Sequence, residues 1–122
     1  DSRAYIVEEG SIFLATHDHS LVQQMVDKGE ITGEEAKRHS MKNIITRALG
    51  VQESVQPDII KYKIKPGTVI MLCSDGVSNV LSDEEMGEIV TNHEPEQAVE
   101  ILCHDAAAAG SSDDLTAIVI KF

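Results

Sequence analysis

The fold is indicated first by the stretch Val69-Ile70-Met71-Leu72-Cys73-Ser74-Asp75-Gly76. Its five apolar residues have the length of a buried β-strand, and an acidic residue and a glycine follow almost at once. In such an order the strand fixes the backbone and the glycine lets the chain turn away, so the carboxylate stands at the rim of the sheet. The stretch therefore predicts a strand that delivers Asp75 to a sheet edge.

A second acidic position, Asp113, precedes the last apolar run of the chain, residues 117–120. Asp75 follows its strand and Asp113 precedes its own, so both emerge at one edge if the two strands are antiparallel neighbours. Asp1 precedes the first strand and joins them if that strand runs parallel to the last. Clustered carboxylates repel one another unless a cation neutralises them, and oxygen ligands without Cys or His favour Mg²⁺, Mn²⁺ or Ca²⁺ over Zn²⁺.

Both acidic motifs also have a plain structural meaning. A Ser-Asp-Gly triplet is often only a turn, and an Asp-Asp pair before a strand is often a cap with a solvated charge. From their spacing alone, a metal site and two ordinary turns both stay open.

Composition limits the classes of function. A chain of 122 residues with 42% hydrophobic and 25% charged residues is typical of one soluble globular domain. Its formal net charge of -11 excludes partners that need basic patches, which are nucleic acid and anionic membrane surfaces. No apolar run reaches the roughly 18 residues that span a bilayer. Cys73 and Cys103 lie in apolar settings and are expected to be free thiols in a reducing cytosol, so we predict a cytoplasmic protein.

The predicted elements come in blocks. Residues 4–15 indicate a β-hairpin, and two helices follow, the first capped by Ser20 and the second opened by a Thr32–Glu35 capping box. Residues 43–49 fit either a strand or a helix.

The second half of the chain continues the block pattern. Residues 57–65 alternate between lysine and apolar residues and predict a strand with one wet face, before the strand of the opening stretch. Helices begin at the Ser82 capping box and at Pro95, and residues 115–122 form the last strand. Strands and helices in blocks favour an α+β fold with an antiparallel sheet.

Five stretches together resemble the C-terminal half of the bacterial metal-dependent serine/threonine protein phosphatases of type 2C, the PPM family. They occur in the family's order and spacing: Asp1-Ser2-Arg3-Ala4-Tyr5; Asp18-His19-Ser20-Leu21-Val22; Gly29-Glu30-Ile31-Thr32 leading to His39 and to Asn43-Ile44-Ile45-Thr46-Arg47-Ala48-Leu49-Gly50; Cys73-Ser74-Asp75-Gly76; and Gly110-Ser111-Ser112-Asp113-Asp114-Leu115-Thr116. The resemblance implies that residues 1–122 form a partial phosphatase domain, the C-terminal half of an antiparallel β-sandwich flanked by helices.

The resemblance also implies roles for single residues. Asp75 and Asp113 match ligands of a binuclear Mn²⁺ or Mg²⁺ centre, and Asp1 matches a ligand of a third metal. Residues 29–41 match a flap beside the active site, in which His39 helps with substrate or proton transfer. For His39 the alternative of an ordinary surface histidine stays open.

Other parts of the family's site are missing from this sequence. The family's first half supplies a Glu-Asp pair, an Asp-Gly-x-Gly-Gly-His loop and a phosphate-binding arginine. We therefore expect a fragment with little activity alone, whose exposed strand edges favour a dimer or a domain swap.

Three classes of function follow. In the first, the parent enzyme hydrolyses phosphoserine and phosphothreonine in proteins, opposing a serine/threonine kinase. In the second, the chain is a non-catalytic phosphatase-like module that binds or regulates a partner. In the third, it is a small protein that binds divalent cations through the same three aspartates.

Overall fold

The computed structural model describes all residues from 1 to 122 and divides them into two compact units. One unit comprises Ser2–His17 and Lys61–Phe122 and contains the sheet, which we call the sheet unit. The other comprises Asp1 and Asp18–Ile60, which we call the excursion unit. None of the helices in either unit is both long and apolar enough to cross a bilayer.

The sheet unit contains four strands in the order β2-β1-β3-β4, and every neighbouring pair is antiparallel. The strands are β1 (Arg3–Glu8), β2 (Ser11–Leu14), β3 (Val69–Cys73) and β4 (Ala117–Lys121). The hairpin, the strand of the opening stretch and the last strand are thus confirmed, and so is the α+β class with an antiparallel sheet.

Two long helices cover one face of this sheet. They are α4 (Asp83–Asn92) and α5 (Pro95–Ala108), which follow the one-turn helix α3 (Asp75–Ser78). Tyr5 and Met71 point from the strands into this side and pack with Met86 and Leu102 in one apolar cluster. Burial of such side chains is the main favourable term in folding, so this layer stabilises the unit.

Both helix starts were predicted correctly. Ser82 accepts from the Glu85 backbone and the Glu85 side chain accepts from Ser82, which completes the capping box. Pro95 lies in the first turn of α5. Ala109 is the C-cap residue of α5 and is exposed.

A close contact sets the position of α4. A Cβ on Gly87 would lie 3.0 Å from Cγ2 of Ile12, so the missing side chain lets the helix approach β2. The hairpin therefore belongs to the same packed layer as the two helices.

The opposite face of the sheet is apolar and lacks a second sheet. One cross-strand row runs through Phe13, Ile6, Ile70 and Ile120. In the next row, Leu72 and Ile118 are 38% and 53% exposed. The chain thus forms one layer of strands where the resemblance implied two. Ile6 on this side is only 4% exposed, and we call its more exposed neighbours the open face, defined by Phe13, Ile70, Ile120, Leu72 and Ile118.

The strand predicted for residues 57–65 is wrong. These residues form no strand ladder and pair with neither of the outer strands, β2 and β4. Tyr62 instead attaches the segment through its side chain: its ring lies 5.8 Å from that of Phe13, and its hydroxyl donates to Glu8 Oε2 at 3.0 Å. Alternation in the sequence here marks an extended chain and not a sheet strand.

The excursion unit contains the helices α1 (Leu21–Asp27) and α2 (Gly33–Arg38). Ser20 caps α1 and the Thr32–Glu35 capping box opens α2, both as predicted. No side chain of α2 is buried. Residues 43–49 are neither strand nor helix, and only an isolated bridge joins Ile45 to Ser20.

Candidate metal-binding site

The register of the sheet brings two predicted ligand segments to one edge. Arg3 pairs with Cys73, and Cys73 pairs with Ala117. The start of β1, the end of β3 and the start of β4 therefore lie side by side. Asp75 lies just beyond the end of β3 and Asp113 lies in the segment before β4, and the antiparallel pairing predicted for their strands is confirmed.

Asp75 begins the one-turn helix α3, with Ser74 as its N-cap residue. The sequence predicted a glycine turn at this place, and that prediction is wrong because Gly76 lies inside the helix and has no positive φ. Asp75 is the acidic residue of the first turn, where backbone N–H groups favour a carboxylate.

The reason for glycine at position 76 is a close approach of two backbones. A Cβ there would overlap the carbonyl oxygen of Asp114 and would lie 3.3 Å from a methyl group of Leu115. Only a residue without a side chain lets the segment that carries Asp75 meet the segment that carries Asp113.

Serine hydroxyls connect these two segments. Ser74 Oγ donates to the Asp114 carbonyl at 3.1 Å and accepts from the Thr116 backbone N–H at 3.1 Å. Ser111 Oγ donates to the Gly76 carbonyl at 2.7 Å. We call Ser74 and Ser111, with these bonds, the serine staple.

The sequence reasoning had not assigned a role to either serine of the staple. The available signal was a serine directly before Asp75 and two serines directly before Asp113. Because a serine hydroxyl both donates and accepts, such residues bridge backbone groups where loops meet.

Two of the predicted ligands, Asp75 and Asp113, belong to the sheet unit. Asp75 and Asp113 lie on the stapled segments, and Asp113 Oδ1 accepts from the Asp114 N–H at 2.8 Å. Asp1 and His39 belong to the excursion unit. No group of three or more His, Cys, Asp or Glu side chains in the chain is arranged to hold a metal ion.

His39 ends α2 as its C-cap residue and is half-buried. Its Nδ1 accepts from the Met41 backbone N–H at 3.0 Å. In the neutral ring the proton is then on Nε2, because a nitrogen that accepts a hydrogen bond does not carry the proton.

A cleft of about 390 Å³ opens at the same edge of the sheet unit. Its floor is apolar, formed by Ala4, Leu72 and Ile118, and hydroxyls of Ser2, Thr16, Ser74 and Thr116 surround it. The cleft combines an apolar floor with a polar rim directly beside the residue that precedes Asp75.

Cys73 lines this edge but lacks the properties of a nucleophile. Its side chain is buried, and burial raises the pKa of the thiol, which a hydrogen bond from Ser78 only partly offsets. A raised pKa leaves little thiolate at neutral pH. Cys73 is thus a core residue, and both cysteines are free thiols, as predicted.

The donor set fits a hard divalent cation in part. Carboxylate oxygens, which Asp75 and Asp113 carry, are ligands that Mg²⁺ and Mn²⁺ prefer, and the Cys73 thiol at this edge is buried. Two carboxylates are fewer than such ions need, so a complete coordination shell would require further ligands.

Comparison with known proteins places this geometry in context. A family model described as stage II sporulation protein E (SpoIIE) matches residues 8–122. Protein phosphatase PhpP of Streptococcus pneumoniae is 36% identical over 122 residues, which are 99% of this chain and 50% of that protein. The chain spans about half the length of the curated relatives it matches.

Solved structures of bacterial phosphatases show the same similarity. The Mycobacterium tuberculosis serine/threonine phosphatase PstP/Ppp superposes with a TM-score of 0.92 and 35% identity, covering 100% of this chain and 52% of that one. A catalytic domain of PstP in complex with two manganese ions gives a TM-score of 0.86 and 34% identity over 98% of this chain and 49% of that one. The predicted similarity to bacterial serine/threonine phosphatases is confirmed, although the matching family model carries a different description from the predicted type 2C family.

Proposed function

The chain belongs to the stage II sporulation protein E (SpoIIE) family, and from this premise we propose that it is the metal-binding part of a phosphatase that hydrolyses phosphoserine and phosphothreonine in proteins. The observation that carries the proposal is the serine staple, which fixes the segments of Asp75 and Asp113 at one sheet edge. The similar proteins are named protein phosphatase or serine/threonine phosphatase and are about twice as long, so the activity is proposed for the parent enzyme.

We propose that Asp75 and Asp113 bind Mn²⁺ or Mg²⁺ and that Asp1 binds a third ion in the complete enzyme. When bound, such ions supply charge neutralisation and an activated water for the hydrolysis of phosphate esters. The residues of this chain have separate roles in the proposal. The aspartate carboxylates bind the metal ions, and Ser74 orients the loop that carries Asp114.

In the same proposal, residues 29–41 are the flap of the active site and His39 transfers a proton. The Met41 N–H holds Nδ1, so Nε2 carries the exchangeable proton of the neutral ring. In this tautomer the Nε2–H can donate a hydrogen bond to a phosphate oxygen, whereas proton transfer to a leaving group requires the protonated ring. The two units then form one partial phosphatase domain.

We expect little or no phosphatase activity from the chain alone, because it supplies two carboxylates where a binuclear centre needs more. The test is the turnover of p-nitrophenyl phosphate with Mn²⁺ by the purified chain. Robust Mn²⁺-dependent turnover that disappears in Asp75→Ala would show that the chain is a complete enzyme.

Metal binding itself is tested by calorimetric titration with Mn²⁺. We expect weak binding that Asp113→Asn weakens by at least tenfold. Asp114→Asn is the matched control, since it neutralises the adjacent carboxylate and keeps the backbone carbonyl that Ser74 contacts. Equal binding by both variants would remove Asp113 from the site.

The second candidate is a non-catalytic phosphatase-like module that binds or regulates a partner. The observation in its favour is that no group of three potential ligands forms. It predicts no Mn²⁺ binding at any concentration below the millimolar range, whereas the metal site predicts binding that depends on Asp75 and Asp113.

We further propose that phosphoproteins, products of a serine/threonine kinase, are the partners of the parent enzyme and that it acts in the cytoplasm. For this chain we propose self-association through the open face or through a swapped edge strand. An uncovered apolar sheet face and unpaired edge strands are typical sites of association. We expect light scattering to give twice the chain mass of 13.3 kDa.

Ile118→Lys tests this surface, and Ile59→Lys is its control, because Ile59 is 83% exposed and lies outside the sheet. The first variant should be monomeric and the second should remain a dimer. If the unsubstituted chain is already a monomer, the proposal is contradicted.

A further inference from the structure

Three separate segments of the excursion unit meet at one carboxylate, that of Asp58. His19 Nε2 lies 2.7 Å from Asp58 Oδ2, and Arg47 Nη1 donates to Asp58 Oδ1 at 2.9 Å. The same Arg47 nitrogen donates to the Gln56 carbonyl at 2.8 Å. Both carboxylate oxygens are therefore occupied, one from each side.

Backbone hydrogen bonds surround these side-chain contacts. The Thr46 N–H donates to the His19 carbonyl at 2.8 Å, and the Leu21 N–H donates to the Ile44 carbonyl at 2.9 Å. Residues 19–21, 44–47 and 56–58 are thus joined into one polar junction. The residues between them, 22–43 and 48–55, are left as two loops that this junction closes.

The junction matters because the excursion unit has almost no apolar core. Only Val22 and Ser20 are buried among its residues. A segment of this length without buried apolar side chains opens easily unless specific polar contacts hold it. The hydrogen bond from Arg47, followed by that from His19, lowers the pKa of Asp58, which shows that the charged carboxylate is the form stabilised here.

We propose that His19, Arg47 and Asp58 form a clasp that closes residues 18–60 at their base and holds both ends of residues 29–41 in place. The proposal rests on the proposed function only where it calls residues 29–41 a flap. The clasp is a positioning device: its members hold the two ends of the segment together, and none of them is assigned to the chemistry.

The other ion pair of the unit provides the contrast. Lys37 and Glu34 lie three residues apart on α2, and their side chains are 72% and 77% exposed. Such a pair closes no loop and contributes little to stability. A charge-neutralising substitution there has the same effect on net charge as one at Asp58, which makes it a matched control.

The clasp is tested by hydrogen exchange of the whole chain without metal or substrate, comparing Asp58→Asn with Glu34→Gln. Loss of a partly exposed charged hydrogen-bond pair should raise the exchange rates of the Leu21 and Thr46 amides about three- to tenfold. Amides of the sheet core, such as those of Tyr5 and Met71, should keep their rates, and Glu34→Gln should change neither set.

Arg47→Lys provides a second test. The exchange rates should not respond to this substitution if only the positive charge of residue 47 mattered. Lysine keeps the charge but has one nitrogen on a flexible stem, so it does not reproduce the fork of arginine. We expect its effect on the Thr46 amide to equal that of Asp58→Asn and the double variant to add nothing further. Additive effects, equal acceleration in Glu34→Gln, or acceleration across the sheet core would each overturn the clasp. Because no metal is present, failure of metal binding leaves this result unaffected.

Discussion

At Gly76, the lack of one carbon atom decides whether two acidic segments meet. The Asp114 carbonyl occupies the space that a Cβ would need, and Ser74 and Ser111 hold it there by hydrogen bonds. The sequence pointed to a functional glycine beside Asp75 but supplied the wrong reason, a flexible exit from the strand. A close backbone approach between residues nearly forty positions apart leaves no signal in a single sequence.

Gly76→Ala should therefore lower the free energy of unfolding by about 1–3 kcal/mol, the usual penalty of overpacking. It should also weaken Mn²⁺ binding by moving the segments of Asp75 and Asp113 apart. Urea denaturation and calorimetric titration measure the two effects.

Gly33→Ala is the control for that substitution, since Gly33 also lies in a first helical turn and nothing lies within 4 Å of its added Cβ. It should stabilise the chain by up to about 1 kcal/mol, because alanine favours helix. An equal effect of both substitutions would contradict the role of the Asp114 contact.

A second residue-scale feature is the carboxylate of Glu8. Thr68, only 1% exposed, donates to Glu8 Oε1 at 2.6 Å, and Tyr62 donates to the other oxygen. The Thr68 hydrogen bond, then that of Tyr62 and the charge of Lys65, lower the pKa of Glu8. The folded state thus binds this proton less readily than the unfolded state.

Stability from Glu8 is therefore fully present above the pKa of the unfolded chain, about 4.3, and is lost as the pH falls through the lower folded pKa. Thr68→Val should return the pKa of Glu8 toward its ordinary value. The free energy of unfolding should then fall less steeply as the pH is lowered. Urea midpoints between pH 6 and pH 3 measure this slope. Thr91→Val, an exposed threonine of α4, should leave it unchanged, and equal slopes in all three proteins would refute the assignment.

At the scale of elements, two helices begin with the same local chemistry and differ in their packing. Both α2 and α4 open with a complete capping box, which the sequence predicted in each case. Only α4 buries side chains, among them Met86 and Val90. Local capping therefore predicts where a helix begins, while tertiary packing decides how much that helix contributes.

Ser82→Ala should lower the free energy of unfolding by about 1 kcal/mol, the usual effect of a lost N-cap. Thr32→Ala removes the same bonds from α2 and should leave the global unfolding midpoint nearly unchanged, because α2 has no buried residue. Chemical denaturation followed by circular dichroism compares them. Equal losses would show that α2 unfolds together with the sheet unit.

The sequence predicted secondary structure least well in segments that need a neighbouring strand to pair with. Residues 57–65 have the alternation of a strand, yet they pair with no strand of the sheet. Residues 43–49 are apolar enough for either element and become a turn with one bridge. Strand pairing depends on the neighbouring segment, so the hydrophobic pattern of one segment cannot predict it.

For the whole molecule, stability is concentrated in the sheet unit. Every member of the buried apolar cluster belongs to it, and the excursion unit depends on polar contacts at its base. Leu102→Ala should lower the free energy of unfolding by about 2–5 kcal/mol, the range for a buried leucine. Leu49→Ala, at a residue 88% exposed, should change it by less than about 0.5 kcal/mol. Thermal denaturation of both variants measures the difference, and similar melting temperatures would contradict this distribution.

The sequence by itself determined the α+β class, the capped helices, the two acidic segments and the similarity to bacterial serine/threonine phosphatases, because strand length, capping and motif order are local features. Only the tertiary structure decided that β3 lies between β1 and β4, that Gly76 admits the Asp114 carbonyl, that the open face stays uncovered and that Asp58 joins three segments. These depend on contacts between residues far apart in the chain, where packing and hydrogen-bond geometry select one arrangement among those that local propensities allow.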